Sequence, residues 1–198
     1  MTEQTKSDLT RQNILTAGRG LILKHGFGGV GISRILAESN VPKGSFYYYF
    51  ASKEAFGQAL LQDYVDDYLT RVDDLIASTG LARDKLDKFW SAWLAQAGAE
   101  GIASQCLVVK LGAEVADLSE NMRVILNNGV GELVDRIATL LQQGAVDGSL
   151  RSFPDPQITA QMLYAKWLGA AILAKLAQDQ RPLENALADT ATLLTPNN

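Results

Sequence analysis

Two stretches hold most of the chemistry available to this sequence. The first is Lys43-Gly44-Ser45-Phe46-Tyr47-Tyr48-Tyr49-Phe50-Ala51-Ser52-Lys53, a run of aromatic rings between two lysines. Three consecutive tyrosines cannot all face inward on one helix, because neighbours point about 100° apart. Phe46, Tyr47 and Phe50 are expected in the core, which leaves Tyr48 and Tyr49 to present their hydroxyls. Flanked by Lys43 and Lys53, those hydroxyls suit the donation of hydrogen bonds to phosphate oxygens. The second stretch surrounds Cys106, the only cysteine among 198 residues. It can close no internal disulfide and no multi-thiolate metal cage. Ser104 is expected as an N-cap, which places Cys106 in the first turn of a helix, where unpaired backbone N–H groups favour the reactive thiolate. Lys110, four residues on, would add positive charge along the same face. A free cysteine is more often a small buried hydrophobe, and spacing alone leaves both readings open.

Other candidates are plainer. His25 is the sole histidine, so no histidine-based metal cluster is expected. An enzyme using Cys106 as nucleophile would lack a histidine base outside the N-terminal region. Neither cofactor nor metal is expected, and the reading is of a protein that is not an enzyme. The turn Gly26 to Gly31 lacks the lysine and serine of a phosphate-binding loop. Glu114, Asp117 and Glu120 have helical spacing and are expected on a solvated face. Trp90, Trp93, Tyr164 and Trp167 are expected as core or as the wall of an effector pocket. Lys175 sits in an otherwise apolar stretch, either snorkelling or paired.

The elements that must position these residues read as helices throughout. A span of 111 residues between Pro42 and Pro154 holds no proline, and strand-like alternation is nearly absent. The expected fold is all-α with about nine helices, near 8–25, 32–38, 43–49, 53–76, 81–99, 105–114, 119–143, 155–177 and 182–194. The first three, with two short helices joined by the turn Ser39-Asn40-Val41-Pro42, form a helix-turn-helix candidate. Residues 1–52 are the expected DNA-binding domain, and residues 53–198 a second helical domain.

Charge supports that division. The net charge of −4 conceals +4 over residues 1–53 and −8 over the remainder. A basic N-terminal region on an acidic body is what a duplex-binding end would need. Composition, at 47% apolar and 20% charged, is that of an ordinary globular chain. Met1 to Thr10 lacks the apolar core of a signal peptide, and no apolar run is long enough to span a bilayer. A cytoplasmic location and no membrane partner are expected.

Residues 11–57 resemble the DNA-binding domain of the TetR family of one-component repressors. The likeness is carried by Gly26-Phe27, Ile32 to Ala37, the run Val41 to Phe50, and Ser52-Lys53-Glu54. It implies a homodimer that binds a palindromic double-stranded operator, with residues 53–198 as the helical effector-sensing and dimerisation domain. It also implies that Lys43 and Gly44 lie at the start of the recognition helix and that Tyr48, Tyr49 and Lys53 touch phosphates. Base readout would fall to Ser33, Arg34, Lys43 and Ser45. The later runs Cys106 to Leu111, Glu114 to Arg123, Leu163 to Ala170 and Pro182 to Leu187 are similar to the subgroup that senses reactive electrophiles. That likeness implies an inducer that is an electrophile or oxidant modifying Cys106, with Lys175 involved in the thiol chemistry. A reversible small-molecule inducer with a structural Cys106 is the alternative. The implied homodimer pairs through residues 155–194, with Ala160, Leu163, Ala170, Ile172, Leu173, Leu187 and Leu194 expected to supply the apolar surface.

Overall fold

Capping chemistry starts the first helix. Thr5 accepts from the Asp8 N–H while the Asp8 carboxylate accepts from the Thr5 N–H, a reciprocal box that satisfies two otherwise orphan donors. The computed structural model describes residues 5–94 and 101–196. Its regular elements are α1 (Lys6–His25), α2 (Ile32–Ser39), α3 (Lys43–Tyr49), α4 (Lys53–Ala77) and α5 (Ala82–Ser91). After these come α6 (Ile102–Gln105), α7 (Leu107–Leu118), α8 (Glu120–Asp147), α9 (Pro156–Ala177) and α10 (Arg181–Leu194). The all-α reading holds, and no strand occurs among the described residues.

Boundaries differ from expectation where capping and glycine intervene. One helix was expected near 105–114. Instead, the single turn α6 ends at Cys106, whose extended backbone (φ −73°, ψ 114°) separates it from α7. The helix expected over 81–99 ends at Ser91, and residues 95–99 lie outside the described residues. Asp155 caps α9 by accepting from the Ile158 N–H at 3.0 Å, with Pro156 in the first turn where it displaces no hydrogen bond.

The chain divides into two compact units. One holds Met1–Asp66 and Lys110–Asn127; the other holds Asp67–Val109 and Asn128–Asn198. This partition differs from a break at 52/53, because the first unit takes the front half of α4 and then recruits most of α7 and the start of α8. In the first unit, Ile14, Leu15, Ile22, Ile35, Phe46 and Phe56 are fully buried. Phe46 packs 5.4 Å from Phe50 and 5.6 Å from Phe56 between ring centroids. In the second unit the core is tryptophan: Trp90 stacks on Trp167 at 4.9 Å, and Trp93 meets Trp167 edge-on at 5.7 Å.

Helices α9 and α10 form a hairpin within the second unit. The Trp167 indole N–H donates to Thr190 Oγ1 at 3.1 Å, and Lys166 pairs with Asp189. This hairpin corrects the surface assigned to dimerisation. Ala160, Leu163, Ala170 and Leu194 are buried in the chain's own core, while Ile172 and Leu173 are exposed. Ile158, Met162 and Leu176 join the exposed pair to make an apolar stripe along α9. An apolar helical pattern does not by itself say which side the chain's own core will cover, and here the core takes the side of Ala160 and Leu163. Among the described residues, no helix is long and apolar enough to cross a membrane.

Candidate nucleic-acid interface and thiol site

Pro42, extended at φ −60° and ψ 146°, opens α3, and Phe46 and Phe50 hold that helix down through one buried face. The opposite face is open. Lys43 and Gly44 are exposed, Ser45 is half-buried, and Tyr48 is 78% exposed. Tyr49 is half-buried; its ring meets that of Tyr48 edge-on at 4.9 Å, and its hydroxyl accepts from Ser7 Oγ at 3.3 Å. Tyr47, expected in the core, is instead 52% exposed. A helix of seven residues has room for one buried stripe, and the phenylalanines at 46 and 50 fill it.

Ser33 and Arg34 are exposed on α2, and the Arg34 guanidinium donates to His25 Nε2 at 2.8 Å. Lys53 is not a free surface cation. Its ammonium donates to the Phe27 carbonyl at 2.8 Å and lies 4.7 Å from the centre of the Phe27 ring. Ser52 caps α4, accepting from the Ala55 N–H at 3.0 Å.

The thiol lies in the second unit. Cys106 is 3% exposed, and it directly precedes α7 rather than sitting inside a first turn. Ser104, expected as a cap, lies inside α6, and its hydroxyl donates to the Gly101 carbonyl at 2.9 Å. The phenols of Tyr68 and Tyr164 are close enough to feel the thiol's charge. Burial pushes both phenols well above their ordinary range, and the nearby Cys106 adds to the effect. Both tyrosines therefore stay neutral at physiological pH. Lys110, expected beside the thiol, sends its ammonium to the Lys24 carbonyl at 3.5 Å.

The aromatic residues assigned to a pocket are tightly packed. Trp90, Trp93, Tyr164 and Trp167 are all buried, with Tyr164 edge-on to Trp93 at 6.1 Å. Trp93 also lines a cavity of about 610 Å³ together with Ser104, Ala171, Ala174, Lys175 and Glu184. Lys175 is thus an exposed residue at the end of α9 that faces this cavity. Among the described residues, no group of three or more histidine, cysteine or acidic side chains could hold a metal ion.

Comparison with known proteins settles what class of molecule this is. Residues 14–60 match the family model described as bacterial regulatory proteins, tetR family, and residues 81–190 match the tetracyclin repressor-like C-terminal domain. The HTH-type transcriptional repressor NemR of Escherichia coli (strain K12) is 41% identical over 195 residues, covering 98% of both chains. The chain belongs to the TetR family. The HTH-type transcriptional repressor DhaR of Mycobacterium sp. (strain GP1) is 30% identical, over 94% of this chain and 93% of that one. Among solved structures, the reduced form of E. coli NemR superposes with a TM-score of 0.85 at 39% identity, covering 94% of this chain and 97% of that one. Like these relatives, this TetR-family protein is a DNA-binding transcriptional repressor and not an enzyme.

One feature of this TetR-family chain escaped the reading of its sequence. Glu114, assigned to a solvated face, accepts from the Phe27 N–H at 3.1 Å and from the Gly28 N–H at 2.6 Å. The signal that could have found it is the Gly26-Phe27-Gly28-Gly29 turn, whose backbone donors need an acceptor from somewhere.

Proposed function

We propose that this repressor acts as a homodimer, docks α3 of each protomer in the major groove of a palindromic operator, and releases it when Cys106 is modified. The observation that carries the DNA half is the open face of α3. Its core side is anchored by Phe46 and Phe50, so Lys43, Gly44, Tyr48 and Tyr49 are presented on a rigid element. In this reading Tyr48 and Tyr49 donate to phosphates, and Ser33, Arg34, Lys43 and Ser45 approach base edges. Lys53 acts chiefly by bracing the Phe27 turn, with its remaining donors open to a phosphate. The exposed stripe Ile158, Met162, Ile172, Leu173 and Leu176 is the surface a second protomer would cover. A cytoplasmic protein would meet such DNA.

For the sensing half, the support is the 41% identity to NemR, one of whose solved structures is of a reduced form. The reaction proposed is conjugate addition. The thiolate of Cys106 forms a C–S bond to the β-carbon of a quinone or enal, the C=C π pair shifts to the bond between the α-carbon and the carbonyl carbon as the C=O π pair moves onto oxygen, and the resulting enolate takes a proton from water. Oxidants such as hypochlorous acid would instead give a sulfenic acid. Cys106 is packed in the core, so any added group must displace its neighbours, which is how a small reagent would gain a large effect. Lys175 lines the same cavity as Ser104, two residues before the thiol, which supports a part for it in the thiol chemistry.

The same cavity favours a second reading, a reversible inducer with Cys106 as packing, since about 610 Å³ falls in the range of small-molecule sites. Intact-mass analysis alongside DNA binding separates the two. Treatment with quinone should add one equivalent per chain and abolish operator binding, and Cys106→Ser should do neither. Release of DNA by the serine variant on the same treatment would rule out thiol sensing.

A further inference from the structure

We propose that Glu114 is a positioning residue for operator binding. In this inference it ties the turn between α1 and α2 to α7, and so sets the seat of the helix-turn-helix. The inference deepens the sensing reading and, for its regulatory part, rests on it.

The argument begins with backbone donors. Gly26 caps α1 in a left-handed conformation at φ +78°, donating to the Ile22 carbonyl at 2.8 Å. The chain then turns sharply, leaving the N–H groups of Phe27 and Gly28 pointing the same way. One carboxylate receives both, with one oxygen for each. A Cβ at position 28 would stand 3.1 Å from Glu114 Oε1, so a side chain there would push the carboxylate back by a few tenths of an ångström. Charge-assisted bonds of this kind are about twice as strong as neutral ones. The other side of the same peptide is held as well, by Lys53 on the Phe27 carbonyl. Lys110, one turn before Glu114, reaches the Lys24 carbonyl. The exit of α1 and the entry to α2 are therefore fastened to one face of α7 by side chains 86 and 87 residues away in sequence.

The placement on α7 gives this fastening a regulatory consequence. Helix α7 starts at Leu107, directly after Cys106, and Glu114 lies about two turns along it, roughly 12 Å by helical rise. A shift or rotation of α7 at its first turn carries the carboxylate with it, since a helix moves as a rod over that length. Losing the carboxylate from these two N–H groups loosens the turn that leads into α2, and with α2 the short helix α3, leaving Lys53 on the Phe27 carbonyl as a remaining tether.

Electrostatics makes the test sharp. Glu114→Gln removes a negative charge from a unit that meets DNA, so Coulomb effects alone would tighten binding. Positioning predicts the opposite. In full-length dimer titrated on a duplex selected by the wild-type protein, Glu114→Gln should weaken operator affinity about tenfold. The slope of affinity against salt should not change, since no phosphate contact is lost. Stoichiometric titration counts competent dimers separately, so loss of folded protein cannot mimic the result. Glu114→Asp, charged but one methylene short of spanning both donors, should also weaken binding. Hydrogen exchange supplies a readout without any substitution: alkylating wild-type Cys106 with N-ethylmaleimide should accelerate exchange of the Phe27 and Gly28 amides. Unchanged or tighter binding by Glu114→Gln overturns the positioning role. If affinity falls but alkylation leaves those amides protected, the link to the thiol is overturned. If wild-type operator binding ignores alkylation, it is the sensing reading that fails, and the affinity measurement still decides the role of Glu114.

Discussion

Two clusters of aromatic residues sit in this chain, and they are built on opposite terms. In the first unit, residues 46–50, from the middle of α3 to its C-cap, have two rings buried and three tyrosines directed wholly or partly outward. In the second unit, Phe89, Trp90, Trp93, Tyr164 and Trp167 are all buried and in mutual contact. Ring chemistry alone does not separate them. What separates them is where the polar end of each ring goes. Tyr48 keeps its hydroxyl in solvent, whereas Trp167 spends its N–H on Thr190 inside the core. Aromatic rings on a short, anchored helix become a presenting surface; the same kind of ring between long helices becomes the core that holds a domain together.

The largest effect should come from breaking the second cluster. Trp167→Ala should cost about 3–5 kcal/mol in urea unfolding, whereas Tyr48→Ala should stay within about 0.5 kcal/mol. Equal losses from the two would erase the contrast between core and display. Next in size is an effect on binding alone. Tyr48→Phe should weaken operator affinity about tenfold, as expected for one hydrogen bond to a charged phosphate, with the unfolding midpoint unmoved. Retained affinity in a gel-shift titration would remove Tyr48 from the interface. The smallest test sharpens the core itself. Trp167→Phe leaves Thr190 without its indole donor, while the Trp90 indole N–H has no partner among the described residues. Trp90→Phe should therefore be milder than Trp167→Phe by about 1 kcal/mol, read from paired denaturation curves.

Much of this was legible in the residues themselves. The all-helical fold followed from long proline-free, alanine- and leucine-rich stretches, and the burial of Phe46 and Phe50 from their spacing of four. Tyr47 was misjudged because one turn of pattern cannot say how wide a buried stripe will be. Cys106 was expected inside a helix, yet its backbone is extended and separates α6 from α7. On α9, Ala160 and Leu163 were expected outside and lie inside. Periodicity identifies an apolar helix but not which side its neighbours take.

Local pattern decided what depends on neighbours within a turn or two: helix type, the Ser52 and Asp155 caps, and the inward rings of α3. The partnership of Glu114 with Phe27 and Gly28, the Arg34 contact to His25, and the stack of Trp90 on Trp167 were decided only when the chain folded. Some of these pairs join residues nearly ninety positions apart, and no sequence window contains both members. A carboxylate's preference for water or for two backbone donors depends on what the fold brings beside it, and a helical wheel carries no record of that.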